Sequence, residues 1–293
     1  MISALFAATV SAAVPSPPTC GIDSWVPFTW FNAKKSALMV HATVNGKRTY
    51  FQFDTGSDAS ILYGKRVAKI FDTEPIESDE EWHQIQSFSF DGGPPRPERM
   101  LMVDDMRGGR KVAGTIGTDL LIGRILVLDY PGTRFAVLDE ADLSGIADHI
   151  ATVPADVRIN KLFVPIESGG TTYPDMFFDT GSSRFDLWVD KGLWTALTGL
   201  TEPTPGGPEL TGYSWGVKFL YHGAPATDLT IAGTPITDAI TYFRDAEPVF
   251  EDYPHPATGL FGNRPFFDKI VVADYGDSPS FGFLDCPDAP ASP

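Results

Sequence analysis

Cysteine is nearly absent: Cys20 and Cys286 are the only two in 293 residues. A disulfide-dense scaffold and a cysteine-rich metal site are both excluded. Histidine is scarce too, and His41, His83, His149, His222 and His255 form no His-Glu-x-x-His or other ligand spacing, so no metal site is expected. Lysine and arginine number 22 against 38 aspartates and glutamates, a formal charge of -16. A surface this acidic repels phosphate backbones and anionic lipid, which argues against nucleic acid as a partner. No apolar run reaches the roughly 18 residues of a spanning helix, so no membrane span is expected. A Gly-x-Ser-x-Gly elbow is also missing, and Gly276-Asp277-Ser278 reads as a turn rather than a nucleophile.

What the sequence does hold is apolar and turn-rich. Hydrophobic residues make up 43% and aromatics 12%, enough for a real core, while 28 glycines and 25 prolines favour many turns between short strands. The length allows one large domain or two compact ones. Residues 1–13 (MISALFAATVSAA) are uncharged and apolar, with small residues where a signal peptidase would cut, and are read as a signal peptide of an exported protein, periplasmic or secreted. The two cysteines lie near opposite ends of the mature chain. They are either free buried thiols or, in an oxidising compartment, a Cys20–Cys286 bridge closing nearly the whole chain into one loop.

The strongest signal is self-similarity. Phe53-Asp54-Thr55-Gly56-Ser57 returns as Phe178-Asp179-Thr180-Gly181-Ser182. An apolar run precedes each copy, Leu38-Met39-Val40 and Leu162-Phe163-Val164, followed by a glycine turn at Asn45-Gly46 and Gly169-Gly170. Downstream, Gly114-Thr115-Ile116-Gly117 leads to Ile125 through Asp129 and Tyr130, and Gly259-Leu260-Phe261-Gly262 leads to Ile270 through Asp274 and Tyr275. The chain is two copies of one unit. Short runs of Val, Leu, Phe and Thr at 36–44, 48–54, 125–129 and 134–138, mirrored in the second copy, predict strands. Helix is expected only at 64–70, 141–149 and 190–198. The division is a first lobe at 24–140, a connection at 141–159, a second lobe at 160–286 and a proline-rich tail at 287–293.

One Asp-Thr-Gly turn is ordinary turn chemistry. Two, in duplicated units related by a pseudo-two-fold axis, bring equivalent aspartates together, and two carboxylates in contact cannot both ionise easily. The ionised member can then act as general base on a water while the protonated one donates to a substrate carbonyl. A pair of carboxylates could also serve a glycosidase, which would need them roughly 5–9.5 Å apart.

The doubled Asp-Thr-Gly-Ser motif, with Thr115-Ile116-Gly117 and Leu260-Phe261-Gly262 after it, resembles the aspartic proteases of the pepsin and retropepsin group over most of residues 30–285. The resemblance implies an all-β, bilobal, pepsin-like double barrel with few short helices, and catalysis by Asp54 and Asp179. It implies that Thr55 and Thr180 cross-link the two turns, that Gly56 and Gly181 allow their approach, and that Ser57 and Ser182 bond the outer carboxylate oxygens. Ile116, Gly117, Phe261 and Gly262 would pack beneath. Such enzymes cover substrate with a hairpin flap. The family's offset places it at Phe90-Asp91-Gly92-Gly93 in the first lobe, with Tyr213 and Trp215 as candidates from the second; no tyrosine lies between Tyr63 and Tyr130 to match pepsin's flap tyrosine. The implied activity is endopeptidase cleavage of peptides or unfolded proteins by a monomer without a cofactor. The alternative is a catalytically inactive pepsin-fold protein used for binding or inhibition.

Overall fold

The computed structural model describes residues 19–71, 81–103, 112–143, 145–214, 217–245, 249–250 and 255–286. The expected signal peptide at 1–13, the tail at 287–293 and Trp215 lie outside these.

The two copies meet where their most apolar strands pair. Ile125–Asp129 runs antiparallel to Ile270–Asp274, with Val127 opposite Val272, Ile125 opposite Asp274 and Asp129 opposite Ile270. Equivalent residues of the two repeats thus face each other reciprocally, and the pseudo-two-fold axis passes through this pair. It is the centre of a six-stranded antiparallel sheet ordered Ile150–Pro154, Ser280–Leu284, Ile270–Asp274, Ile125–Asp129, Arg134–Leu138, Val26–Trp30. Side chains alternate across a strand. Leu126, Leu128, Val271 and Ala273 therefore enter the main core shared by both lobes, while Ile125, Val127 and Val272 face a second cluster with Ile22, Ile146 and Leu284.

Cys20 and Cys286 sit in that second cluster and are bonded to each other, with Cα atoms 5.1 Å apart. Of the two readings the sequence left open, the bridge is the one formed. It ties the start of the described chain to its end across 266 residues.

On either side of the central sheet each repeat wraps into a lobe. In the first, Leu38–Val44, Lys47–Phe53, Val112–Ile116, Ile61–Tyr63, Arg96–Val103 and Glu81–Phe90 pair in sequence, and the last returns to the first, closing a six-stranded barrel. The second repeats the order with Lys161–Ser168, Thr171–Phe178, Gly259–Phe261, Leu187–Val189, Ile240–Arg244 and Val217–Pro225. The hairpin turns fall on the predicted glycines: Asn45 and Gly46 have φ of 46° and 81°, the paired positive values of a tight hairpin turn. This is the mostly-β, bilobal, pepsin-like architecture.

Two of the three expected helices form, Gly64–Phe71 and Lys191–Thr198, the second ending on left-handed Gly199. The third, at 141–149, is instead two short 3-10 turns, Glu140–Leu143 and Ala147–His149, with the poor helix former Gly145 between them. The 141–159 connection is also more than a linker. Its Ile150–Pro154 is the edge strand of the central sheet, and Asp156–Arg158 pairs with the second lobe. Among the described residues no helix is long and apolar enough to cross a membrane.

Candidate active site

Lys47–Phe53 and Thr171–Phe178 each lie parallel to a short buried strand, Val112–Ile116 and Gly259–Phe261. Each aspartate begins where its strand leaves that ladder: the Asp54 N–H donates to the Ile116 carbonyl at 2.9 Å, the Asp179 N–H to the Phe261 carbonyl at 3.0 Å. The chain then turns sharply. A Cβ on Gly117 would lie 2.5 Å from the Ala59 carbonyl, and one on Gly262 would overlap the Ser182 carbonyl, so these glycines let each turn settle onto the strand behind it.

The turns lock to each other through their threonines. Thr55 Oγ1 accepts from the Thr180 N–H at 2.9 Å and donates to the Phe178 carbonyl at 2.9 Å. Thr180 Oγ1 accepts from the Thr55 N–H at 3.0 Å and donates to the Phe53 carbonyl at 2.9 Å. Both threonines are fully buried. Thr55→Ala leaves a buried amide and a buried carbonyl without partners, a cost of about 2–5 kcal/mol, whereas Thr55→Ser keeps the hydroxyl. The expected result is a large fall in melting temperature for the alanine variant and a small one for the serine variant; equal falls would contradict the role of these bonds.

With the turns locked, the carboxyls meet. A Cβ on Gly56 would come 2.6 Å from the Asp179 carboxyl, and one on Gly181 would overlap the Asp54 carboxyl. Asp54 and Asp179 are in hydrogen-bonding contact, closer than the separation a glycosidase pair requires. Burial pushes the Asp54 carboxyl well above the usual carboxylate range, the facing Asp179 charge and the shared hydrogen bond push it further, and the Gly56 amide and Lys161 pull against this. A folded state that holds this proton more tightly than the unfolded chain gains stability from it below the unfolded value, about pH 4, and loses it as pH rises through the folded value. Asp54→Asn removes that loss. It should therefore be at least as resistant to urea as the parent at neutral pH, and a lower midpoint would contradict the shared proton.

The support around the two carboxyls is less symmetric than the sequence implies. Asp179 accepts from the Gly181 N–H at 2.8 Å, the Ser182 N–H at 3.2 Å and Ser182 Oγ at 2.7 Å. Asp54 accepts from the Gly56 N–H at 3.0 Å, but Ser57 Oγ donates to the Ala59 carbonyl at 2.7 Å instead, and Gln52 Nε2 takes its place on Asp54 at 3.1 Å. Gln52 alternates with Phe51 and Phe53 along its strand, so strand periodicity could have pointed to it.

Behind the second turn lies a network the sequence reading missed. Buried Asn263 donates from Nδ2 to the Thr180 carbonyl at 2.9 Å and to Ser183 Oγ at 2.7 Å, and its Oδ1 accepts from Tyr130 Oη at 2.6 Å. Tyr275, the repeat equivalent of Tyr130, is buried against Thr55. Burial raises both phenols, which therefore stay neutral. The recurrence of Asp-Tyr in both repeats was the available signal. The first lobe solves the same problem differently: Thr118 Oγ1 donates to the Ser57 carbonyl at 3.0 Å, and Ser60 Oγ accepts from the Gly117 N–H and donates to Asp119. Asp119 and Arg264, each five residues after the first glycine of its repeat, bond within their own lobes, Asp119 with Ser60 and Arg264 with Asp186 at 3.0 Å.

The first-lobe flap expectation falls on the closed end of the hairpin formed by Glu81–Phe90 and Arg96–Val103. Val44 pairs with Phe88 and Ala42 with Phe90, while Ala42 also pairs with Thr49 and Met39 with Gln52, so the chain beyond Phe90 heads toward the Phe53 end of Lys47–Phe53; Asp91 pairs with Arg48 at 2.5 Å. Phe90 itself packs its ring against Phe53, Phe88 and Phe135 in the core. Tyr213 lies near the tip of the Glu209–Ser214 and Val217–Pro225 hairpin, its Cα opposite Lys218.

No family model matches the chain, and no curated protein matches it in sequence. Among solved structures, the crystal structure of Basic 7S globulin from soybean is similar over 92% of this chain and 98% of that one, with a TM-score of 0.53 and 8% identity. A likeness at that identity defines the fold alone, and the fold is the pepsin-like one. Among the described residues no group of His, Cys, Asp and Glu is gathered for a metal ion.

Proposed function

We propose that the protein is an exported aspartic endopeptidase that cleaves peptides or unfolded proteins as a monomer, with Asp54 and Asp179 as its catalytic pair. One observation carries the reading: the two carboxyls touch across the junction of the lobes, on turns that bond reciprocally through Thr55 and Thr180. Two carboxyls in contact hold one proton between them. The ionised oxygen removes a proton from a water molecule as that water attacks the scissile carbonyl, and the protonated carboxyl donates to the carbonyl oxygen. The roles then reverse: the newly protonated carboxyl donates to the leaving amine while the other takes a proton from a hydroxyl of the tetrahedral diol, so the dyad again holds one proton and no covalent intermediate forms. The buried disulfide, which forms and persists in oxidising compartments, supports export, as does the apolar start of the sequence.

A second reading is a pepsin-fold protein that binds or inhibits without catalysis. Two observations favour it: the structural likeness is to a protein named as a globulin, and Ser57 does not support Asp54. Digestion of a reduced, unfolded protein across the acid range separates the two. The endopeptidase cleaves and is blocked by a statine-type transition-state analogue; a binder does neither.

A further inference from the structure

Lysine is almost never fully buried unless it is paired, and Lys161 is 3% exposed. Its position is fixed by a turn built at a cost. Arg158 and Lys161 are Cα partners, so Ile159 and Asn160 form the whole connection between Asp156–Arg158 and Lys161–Ser168, with φ of 45° and 61°. Positive φ in a β-branched residue such as Ile159 is strained, and strain of this kind persists where the surroundings impose it and clusters at functional sites. Here the surroundings are the first aspartate turn: Asn160 Nδ2 donates to the Asp58 carbonyl at 3.0 Å. That bond presses the start of the second lobe onto the Asp54–Asp58 segment of the first.

We propose that Lys161 is a positioning residue of the dyad, a buried ammonium that favours negative charge on the Asp54 and Asp179 pair and so sets the pH range in which the pair holds a single proton. The proposal rests on the endopeptidase reading for its consequence in catalysis, but not for the electrostatic coupling itself. The carboxylates of Asp58, Asp179 and Asp54 act on the charge of the lysine. Across its own hairpin, the Arg158 guanidinium is turned away, over the Phe163 ring at 3.7 Å and against Asp175 at 2.9 Å. Tyr275 and Tyr221, which lie in the field of Asp179, are neutral phenols there. Burial alone pulls the lysine below its ordinary value and the three carboxylates oppose this. The coupling is mutual, because a positive charge that the carboxylates stabilise must stabilise the carboxylates equally.

The sign follows. With the ammonium present, both ionisations of the dyad occur at lower pH than they otherwise would. Lys161→Met, which keeps the chain length and removes the charge, should move both limbs of the kcat/KM profile to higher pH; Lys161→Arg should leave them near the parent's. Equal displacement by both variants, or none by methionine, would overturn the proposal. The unmodified protein gives a second reading that does not need either variant to fold. The 15N resonance of Lys161 Nζ, followed through an acid titration, should show an inflection where the dyad takes up its proton, and that inflection should be absent in Asp54→Asn. A flat Nζ resonance in the parent overturns the coupling. If the parent cleaves nothing at any pH while the Nζ inflection is present, the endopeptidase reading fails and the lysine coupling stands.

Discussion

Replacing Asp54 or Asp179 with asparagine is expected to lower cleavage of an unfolded protein by at least about a thousandfold, since each carboxyl serves as acid or base in both halves of the reaction. Asparagine is close to isosteric. Its Oδ1 can still accept the Gly56 or Gly181 amide that anchors each turn, and the threonine cross-link is untouched. The fold should therefore survive, and near-ultraviolet circular dichroism of the variants should match the parent. A loss of activity in both variants with unchanged spectra assigns the chemistry to the pair. Equal activity in parent and variants would remove the endopeptidase reading and leave the binding protein as the better account.

Loss of the Cys20–Cys286 bridge is expected to have the largest effect on stability. A link spanning 266 residues removes much of the freedom of the unfolded chain, and the chain-entropy relation places the effect at about 5 kcal/mol for a loop of this size. For a chain of this length each kcal/mol is worth about 2–4 °C. The doubly substituted Cys20→Ala, Cys286→Ala protein should then melt about 10–20 °C below the parent, and reduction of the parent should reproduce most of that fall. The bridge is packed beneath the central sheet, on the face opposite the main core. At temperatures where the variant stays folded, its cleavage rate should match the parent's. An unchanged melting temperature would show that the paired strands Ile150–Pro154 and Ser280–Leu284 already hold the terminus without it.

How far the sequence announced this structure depends on whether a feature was repeated. The two pentapeptides, the glycine turns and the Ile125–Asp129 and Ile270–Asp274 strands are duplicated, and duplication converts a weak local pattern into a constraint on the whole fold. The contact of Asp54 with Asp179 and the threonine cross-link follow from that constraint. Features held by one copy alone were not legible. Ser57 and Ser182 are identical in sequence but differ in what they bond, because the first turn folds back onto Ala59 while the second leaves its serine free to reach the carboxylate. Lys161 stands at a strand start with no local pattern that marks it as buried, and its neighbour Asn160 bonds the Asp58 carbonyl of the other lobe. The turn at Asp91–Gly93 carries a genuine hairpin signal, and a hairpin forms there. The pairing of Glu81–Phe90 with Leu38–Val44, a long-range register that no local pattern encodes, directs its closed end toward the Phe53 end of the neighbouring strand.

The central claim is that one proton serves two aspartates, and the most direct test follows the side-chain carboxyl 13C resonances of Asp54 and Asp179 through an acid titration. The account predicts two well-separated ionisations sensed by both residues, the upper one far above about pH 4, the ordinary value for an aspartate, and a single remaining ionisation in Asp54→Asn. Two independent titrations, each near the ordinary aspartate value and indifferent to substitution of the other residue, would contradict it.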